Sequence, residues 1–207
     1  MRNWAGSVVG VADDEDPGGV RPVHDPRVLR GLAHPVRGRI VDEMNATGPV
    51  RAADVARALG IPANQASFHL RQLAKYGLVE EAEGEGRDRR DRVWRLTAER
   101  GLSIDLTDLE SRPGGRAAVG VWRTQNRAWA HGVVDAAYAH PPDDDRTTHI
   151  SSATLRLTKQ EARELARDLD AVVARWADRT RGLDDGRRTY LLAEFLQPYP
   201  ELPPPGR

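Results

Sequence analysis

The stretch ASFHLRQLAKYGLVE at residues 66–80 decides the fold of this chain. Ala66, Leu70 and Leu73 recur at spacings of four and three residues, which places them on one face of a helix. Gly77 then ends the pattern, because glycine readily adopts the left-handed conformation that terminates a helix. We therefore predict a helix over residues 63–76 with an apolar inner face and a polar outer face.

Two further helices are predicted on the N-terminal side of this stretch. Residues 26–45 carry apolar side chains at helical spacing, with a break at His34 because a residue that precedes proline disfavours the helical backbone. Residues 52–59 repeat the helical spacing and end at Gly60. Only Ile61 and Pro62 separate this helix from the next one, so the two helices are joined by a tight connection.

On the C-terminal side the pattern changes from helix to strand. Residues 78–82 and 92–96 are suited to two strands, and the glycine-rich, charged residues 83–91 between them are typical of a hairpin tip. Alternation along the second strand places Arg92, Trp94 and Leu96 on one face. Three helices followed by a hairpin is the winged-helix plan, which we assign to residues 25–102.

The same region resembles the ArsR-type family of bacterial winged-helix repressors. The resemblance rests on GLAHPVRGRIVDEM at residues 31–44, RAADVARALGI at 51–61 and, most specifically, the family's Ser-x-His-Leu, Leu and Gly-Leu-Val pattern at Ser67, His69, Leu70, Leu73, Gly77, Leu78 and Val79. It implies a homodimer that binds a palindromic operator in double-stranded DNA. The chain departs from the family at Pro62, where a Ser or Thr often caps the recognition helix.

The outer face of the helix at 63–76 is predicted to read DNA bases. Its candidate side chains are Asn64, Gln65, Ser67, Phe68 and Arg71. Asn and Gln suit adenine, and Arg suits guanine, because each can form two hydrogen bonds to that base. Phe68 has two readings, contact with a thymine methyl group or packing against a neighbouring helix.

His69 is included among the candidate DNA contacts on the strength of the resemblance, which suggests a phosphate contact. A structural histidine is the alternative.

The hairpin tip is rich in arginine, which predicts contact with the DNA backbone or the minor groove. Residues 87–95 read RDRRDRVWR, and the candidate DNA-binding residues there are Arg87, Arg89, Arg90 and Arg92. A solvated tip whose charge is balanced by Glu85, Asp88 and Asp91 is the alternative.

A second unit is predicted over residues 113–196, and the fold class of the whole chain is therefore α+β. A helix at 116–139 is followed by a strand at 150–157, a capping box from Thr158 to Glu161 with a helix behind it, and a strand at 188–196. In the family the helix after the wing makes the dimer contact. The additional strand–helix–strand looks like the extension of larger actinobacterial relatives, and residues 197–207 form a proline-rich tail.

Three tryptophans of this second unit, Trp122, Trp129 and Trp176, allow two interpretations. They line either a pocket for a small-molecule effector or the core of a dimer, and we favour the core because aromatic rings dominate such packing.

Composition narrows the function further. The chain of 207 residues has no cysteine, which excludes disulfides and the cysteine clusters of metal-sensing family members. His131 and Asp135, with His140 nearby, are too few for a tetrahedral metal site unless a second protomer supplies further ligands, so we predict neither metal nor cofactor. Lys plus Arg and Asp plus Glu both number 31, so the net charge is +0.

Location is also predicted from composition. A membrane span needs about 18 consecutive apolar residues, and the chain has no such stretch. Residues 1–24 have no signal-peptide pattern, so we expect a cytoplasmic protein whose first 24 residues form a flexible arm.

Three classes of function compete for this sequence. A DNA-binding transcription regulator, most simply a repressor, agrees with the polar helix face and the arginine-rich tip. An enzyme is disfavoured because the chain has no phosphate-cradling glycine loop and no nucleophile elbow. A winged-helix protein-interaction module, or a small-molecule-binding protein that never touches DNA, should expose more apolar surface on that helix.

Overall fold

The computed structural model of the chain describes residues 7–9, 21–82, 92–98, 101–139, 147–183 and 186–201. Its helices are α1 (Pro26–Leu32), α2 (Pro35–Thr47), α3 (Ala52–Leu59), α4 (Ala63–Lys75), α5 (Leu106–Ser111), α6 (Gly115–Ala139) and α7 (Lys159–Thr180). Its strands are β1 (Ser7–Val9), β2 (Arg21–Pro22), β3 (Val50–Arg51), β4 (Val79–Glu81), β5 (Val93–Leu96) and β6 (Leu102–Ile104). The predicted α+β class, with a winged helix-turn-helix followed by a mostly helical unit, is confirmed.

The break between α1 and α2 lies at His34, as predicted. Asp25 caps α1, where its Oδ1 accepts a hydrogen bond of 2.8 Å from the amide of Arg27. His34 caps α2 in the same way, because its Nδ1 accepts a hydrogen bond of 3.2 Å from the amide of Val36. Both caps satisfy amides that a helix leaves free in its first turn.

The turn between α3 and α4 depends on Gly60, whose φ of +66° is the left-handed conformation that glycine tolerates best. Helix α4 then begins at Ala63 after Pro62, and no side chain caps it, as the sequence predicted. At its other end, the Arg21 guanidinium holds the turn by donating from Nη1 to the carbonyl oxygen of Gly77 (2.7 Å) and to Thr97 Oγ1 (2.9 Å).

The wing is an antiparallel sheet with the strand order β3-β5-β4. Val79 pairs with Leu96 and Glu81 with Trp94, so both predicted hairpin strands are present in register. Trp94 is buried in the core. The predicted hairpin tip at 83–91 lies outside the described residues.

The structure describes two parts of the arm that was predicted to be flexible over residues 1–24, residues 7–9 and 21–24, and each part contains a strand. Strands β1 and β2 both pair in parallel with β6, which lies between them. Val23, immediately after β2, is buried in the core. The periodicity of the sequence does not reveal this sheet, because strands of two or three residues are too short to show an alternation.

The apolar core of the winged domain continues beyond residue 102, where we had predicted its end. Leu109 of α5 and both Ala118 and Val119 of α6 are fully buried in the same cluster as α1 to α4. The first turns of α6 pack on α1 and α5. The remainder of α6 is mainly exposed. At 1.5 Å per residue, the whole helix is about 37 Å long.

Only some of the elements predicted for the second unit are present in the described residues. The helix at 116–139 and the capping box from Thr158 to Glu161 are confirmed. The strands predicted at 150–157 and 188–196 are wrong, because these segments form neither helix nor paired strand within the single chain. The end of α7 is tied to the winged domain by Arg181, whose Nε donates to the carbonyl oxygen of Asn45 at 3.1 Å.

No helix in the described ranges has the length and apolar character that crossing a membrane would require.

Candidate nucleic-acid interface

One polar stripe runs along the outer face of α4. Its members are spaced by one, three, three and four residues along the helix, and all are exposed: Asn64, Gln65, Phe68, Arg71 and Lys75. We call these five residues the α4 stripe. The opposite face is fully buried at Ala66, Leu70 and Leu73, so the helix is held rigidly against the core. The α4 stripe is therefore the most exposed face of this helix among the described residues.

Lys75 was missed by the sequence analysis, although it continues the spacing from Phe68 and Arg71. Extending the helical count by one more turn would have found it. Its cationic side chain at the last turn of α4 also suits the negative end of the helix dipole.

The first side chain of the α4 stripe, Asn64, is hydrogen-bonded to the backbone of its own helix. Asn64 Oδ1 accepts a hydrogen bond from the amide of Gln65 at 2.9 Å, which supplies a partner at the uncapped start of α4. The side chain of Gln65 is exposed beside it, and Ser67 is half-buried at the edge of the stripe. Amide groups held at a helix start in this way can donate to or accept from a base edge.

Phe68 is partly exposed, and its ring contacts a side chain of its own helix rather than a neighbouring helix. Its side chain is 49% exposed, and its ring lies edge-on to the ring of His69 with 5.3 Å between the centroids. One edge of the ring therefore packs against the protein while the other remains available to an apolar group such as a thymine methyl.

His69 lies behind the stripe and is only 4% exposed. Its ring is 4.8 Å, centroid to centroid, from the ring of His34 at the start of α2. Of the two roles left open by the sequence, this burial favours the structural one. We therefore leave His69 out of the DNA contacts proposed below.

The two histidines share a crowded, positively charged environment. The Arg37 side chain is fixed by a hydrogen bond from its Nε to the carbonyl oxygen of Gly31 (2.6 Å), and its guanidinium lies 5.6 Å from the centroid of the Tyr76 ring. Burial lowers the pKa of His34, and the nearby Arg37 lowers it further. Burial likewise lowers the pKa of His69, with smaller contributions from His34 and Arg37.

We predict that acid destabilises the domain through this histidine pair. Because the folded-state pKa values lie below the ordinary 6.5, the unfolded chain takes up protons first as the pH falls below 6.5. The contribution of the two neutral histidines to the free energy of unfolding is fully present above pH 6.5. It is lost as the pH falls through their folded-state pKa values. Protonation of His34 Nδ1 would also remove the cap of α2.

The measurement is the free energy of unfolding by guanidinium at pH 7.5 and at pH 5.0. His34→Asn keeps a capping acceptor without a titrating group, so it should reduce the loss at pH 5.0. His131→Asn, at an exposed position of α6, is the matched control and should leave the loss unchanged. An equal loss in wild type and His34→Asn would contradict a role for His34.

The described base of the wing carries two exposed ion pairs. Arg92 Nη1 lies 2.8 Å from Glu81 Oε1, and Arg95 Nη2 lies 2.7 Å from Glu80 Oε1. Exposed pairs of this kind contribute little stability, about 0 to 1 kcal/mol, so a DNA phosphate can compete for Arg92. Arg87, Arg89 and Arg90 lie outside the described residues.

The three tryptophans of the second unit have different surroundings. Trp122 packs against the core of the winged domain. Trp129 and Trp176 are 41% and 56% exposed, and the Arg179 guanidinium lies 5.0 Å from the centroid of the Trp176 ring. The role of a pocket or of a dimer core for these residues stays a prediction.

Two cavities formed by the described residues are lined by side chains other than these tryptophans. One of about 10 Å³ lies between α2 and β6, beside Val41 and Leu102, and has room for one water at most. An open groove of about 490 Å³ follows the turn between α5 and α6.

In the described ranges no three His, Cys, Asp or Glu side chains are grouped in a way that could hold a metal ion. His131 and Asp135 are exposed on α6, and His140 lies outside these ranges.

Comparison with known proteins identifies a family for part of the winged domain. Residues 32–82, from the end of α1 through β4, match a family described as a helix-turn-helix domain. No curated protein matches the chain. Among solved structures, a MepR-like protein complexed with pseudoligands is 16% identical, covers 71% of this chain and 83% of its own, and superposes with a TM-score of 0.33. Residues 32–82 are thus a helix-turn-helix domain, to which the β4–β5 hairpin adds a wing.

Proposed function

We propose that the chain is a homodimeric DNA-binding transcription regulator, most simply an ArsR-type repressor, that recognises a palindromic operator. The observation that supports this proposal most is the α4 stripe, a rigid polar row on the second helix of a helix-turn-helix. That helix is the one that enters the major groove in proteins of this architecture.

The chemistry of the α4 stripe suits base recognition in the major groove. Gln65 offers the donor and acceptor pair that recognises adenine, and Arg71 the two donors that recognise guanine. Phe68 provides an apolar edge for a thymine methyl group, and Lys75 is placed for a phosphate. Each good two-point contact discriminates between bases by about 1 to 3 kcal/mol.

The wing supplies contacts that do not depend on base sequence. Arg92 stands at its described base, and Arg87, Arg89 and Arg90 complete the proposed set for the backbone or the minor groove. Because the net charge of the chain is +0, nonspecific attraction to DNA is modest, and affinity must come from specific contacts and from two copies acting together.

We assign the dimer contact first to α6. This helix is anchored to the winged domain only through its first turns, and the exposed remainder carries Trp129 and Val134 on its surface. A two-fold axis along this part of α6 would present two α4 helices to successive major grooves. A protein of this kind acts in the cytoplasm, and an effector that alters the dimer would alter DNA binding.

The test is selection of bound duplexes from a random DNA library, followed by titration of the selected duplex with salt. We expect an inverted repeat whose half-sites are centred about 10 base pairs apart, or a multiple of that spacing. Affinity should fall steeply between 50 and 200 mM salt because phosphate contacts release counterions. A folded protein that enriches no sequence at low salt would overturn the proposal.

A further inference from the structure

Exposed apolar side chains are concentrated in the second half of the chain. Among the described residues, every large hydrophobic side chain that is classed as exposed lies after residue 120, with the exception of Phe68. Ten of them lie in α7 or in the segments at residues 150–157 and 190–196: Ile150, Leu155, Leu157, Val172, Trp176, Tyr190, Leu191, Leu192, Phe195 and Leu196. A soluble monomer rarely exposes a contiguous apolar patch of more than a few hundred Å², so a set of this size indicates a surface that a partner covers.

Two segments on either side of α7 contribute most of this surface, residues 150–157 and residues 190–196. Both have the composition of strands: Leu155 and Leu157 alternate with polar residues, and in 190–196 both alternating rows are apolar except at Glu194. A strand that is apolar on both faces is typical of a position inside a sheet. Among the described residues, however, neither segment belongs to a sheet, and Leu192 and Phe195 are 62% and 69% exposed.

The two segments lie near each other and near α7. The amide of Thr147, just before the first segment, donates to Tyr190 Oη at the start of the second at 3.4 Å. Glu194 lies close enough to Asp170 of α7 that its charge adds to burial in raising the pKa of that carboxyl group. The second segment therefore lies beside α7 and beside the residues that lead into the first segment.

Helix α7 is suited to a partner of the same kind. Leu165, Leu169, Val172 and Trp176 recur at alternating spacings of four and three residues, the spacing of a helix that packs along another element. Its charged side chains comprise five basic and five acidic residues. A two-fold interface brings a surface against itself, which costs least when its charges balance in this way.

We propose that residues 150–157 and 190–196 pair with the same two segments of a second copy of this chain and form one intermolecular sheet covered by α7. The second copy rests on the homodimer of the proposed function, but the sheet concerns a different part of the chain from the α6 contact. Main-chain groups that have no ladder in one chain gain one in the dimer, and the apolar side chains are buried at the same time.

The available area is sufficient for a stable dimer. Aromatic side chains bury about 150 to 250 Å² each when covered, so ten large apolar residues that are about half exposed offer on the order of 1,000 Å² per chain. A standard protein interface needs about 800 Å² per partner. Area of this size favours a second copy over a short peptide as the occupant.

The sheet would also have a consequence for DNA recognition. The end of α7 is bound to the end of α2 through Arg181 and the carbonyl oxygen of Asn45, so the dimer sheet is connected to the winged domain. The sheet would thereby help to set the distance between the two α4 helices, and with it the spacing of the half-sites.

The test combines sedimentation with backbone hydrogen exchange on the full chain. Wild type should sediment as a dimer at 20 μM, with amides of 150–157 and 190–196 protected at least 100-fold relative to free peptide. The double variant Leu192→Asp/Phe195→Asp should be monomeric and should lose that protection, while α3 and α4 keep theirs. Leu183→Asp, at another exposed leucine outside both segments, is the matched control and should remain a dimer.

Each other outcome overturns the inference in a distinguishable way. A monomeric wild type shows that a different molecule covers this face. A dimer whose two segments exchange as fast as free peptide shows that copies associate without the sheet, through α6 alone. A monomeric wild type would also contradict the homodimer of the proposed function, whereas the loss of the sheet alone would not. Failure of the library selection would overturn DNA recognition and leave the sheet intact.

Discussion

Replacement of Arg71 by glutamate is expected to weaken binding to the selected operator at least 100-fold. Arg71 stands at the centre of the α4 stripe and is exposed to whatever occupies the groove. The variant loses a two-point guanine contact, about 1 to 3 kcal/mol, and places a negative charge against the base edges and phosphates. Since about 1.4 kcal/mol corresponds to a factor of ten, the two losses together exceed two orders of magnitude.

The measurement is the Kd for the operator and for a scrambled duplex, at one fixed salt concentration. Arg116→Glu makes the same charge change at an exposed position in the first turn of α6 and should leave both values within about twofold. Arg71→Ala should mainly relax the preference at one base pair of each half-site. If Arg71→Glu and Arg116→Glu weaken binding equally, charge alone is responsible and α4 does not lie in the groove.

Replacement of Gly115 by alanine is expected to destabilise the protein by about 3 kcal/mol or more. Gly115 begins α6 and is buried, and a Cβ added there would overlap the main-chain carbonyl of Leu109 in α5. Main chain cannot move aside as the end of a flexible side chain can, so the junction between α5 and α6 must shift. That shift would loosen Leu109 and Val119 from the core, and displaced core packing is among the most costly effects of a single substitution.

Gly120→Ala provides the matched control within the same helix. A Cβ on Gly120 meets nothing within 4 Å, so alanine there should stabilise by up to about 1 kcal/mol through its higher helix propensity. The comparison is the free energy of unfolding by guanidinium, followed by far-UV circular dichroism. Equal stability of Gly115→Ala and wild type would show that α5 and α6 meet less closely than described.

The candidate site was predicted from sequence to a large extent. Four of the five residues of the α4 stripe follow from the helical spacing of the buried row Ala66, Leu70 and Leu73, because side chains opposite a buried face must be exposed. His69 could not be placed in this way. It lies next to the buried row, and its burial depends on the ring of His34 that α2 brings against it. Its neighbour in space is 35 positions away in sequence.

The helices and their ends are determined locally, and the sequence sufficed for them. Apolar spacing, the prolines at the starts of α1 and α2, and the glycines after α3 and α4 act within a few residues of one another. The sequence also predicted the two strands of the wing, because their composition and the glycine-rich residues between them are local signals. The absence of cysteine excluded disulfides and cysteine metal clusters without reference to the fold.

Only the tertiary structure decided how distant segments meet. The sheet β1-β6-β2 joins residues about 80 to 95 positions apart, and no local signal identifies β6 as its centre. The same reason explains why the segments at 150–157 and 188–196, predicted as strands, join neither sheet of the described chain. A strand pattern in the sequence indicates only that a segment can pair. Which strand it pairs with depends on which sheet edge lies beside it in the folded chain. For segments far apart in sequence, that position depends on how the intervening residues pack.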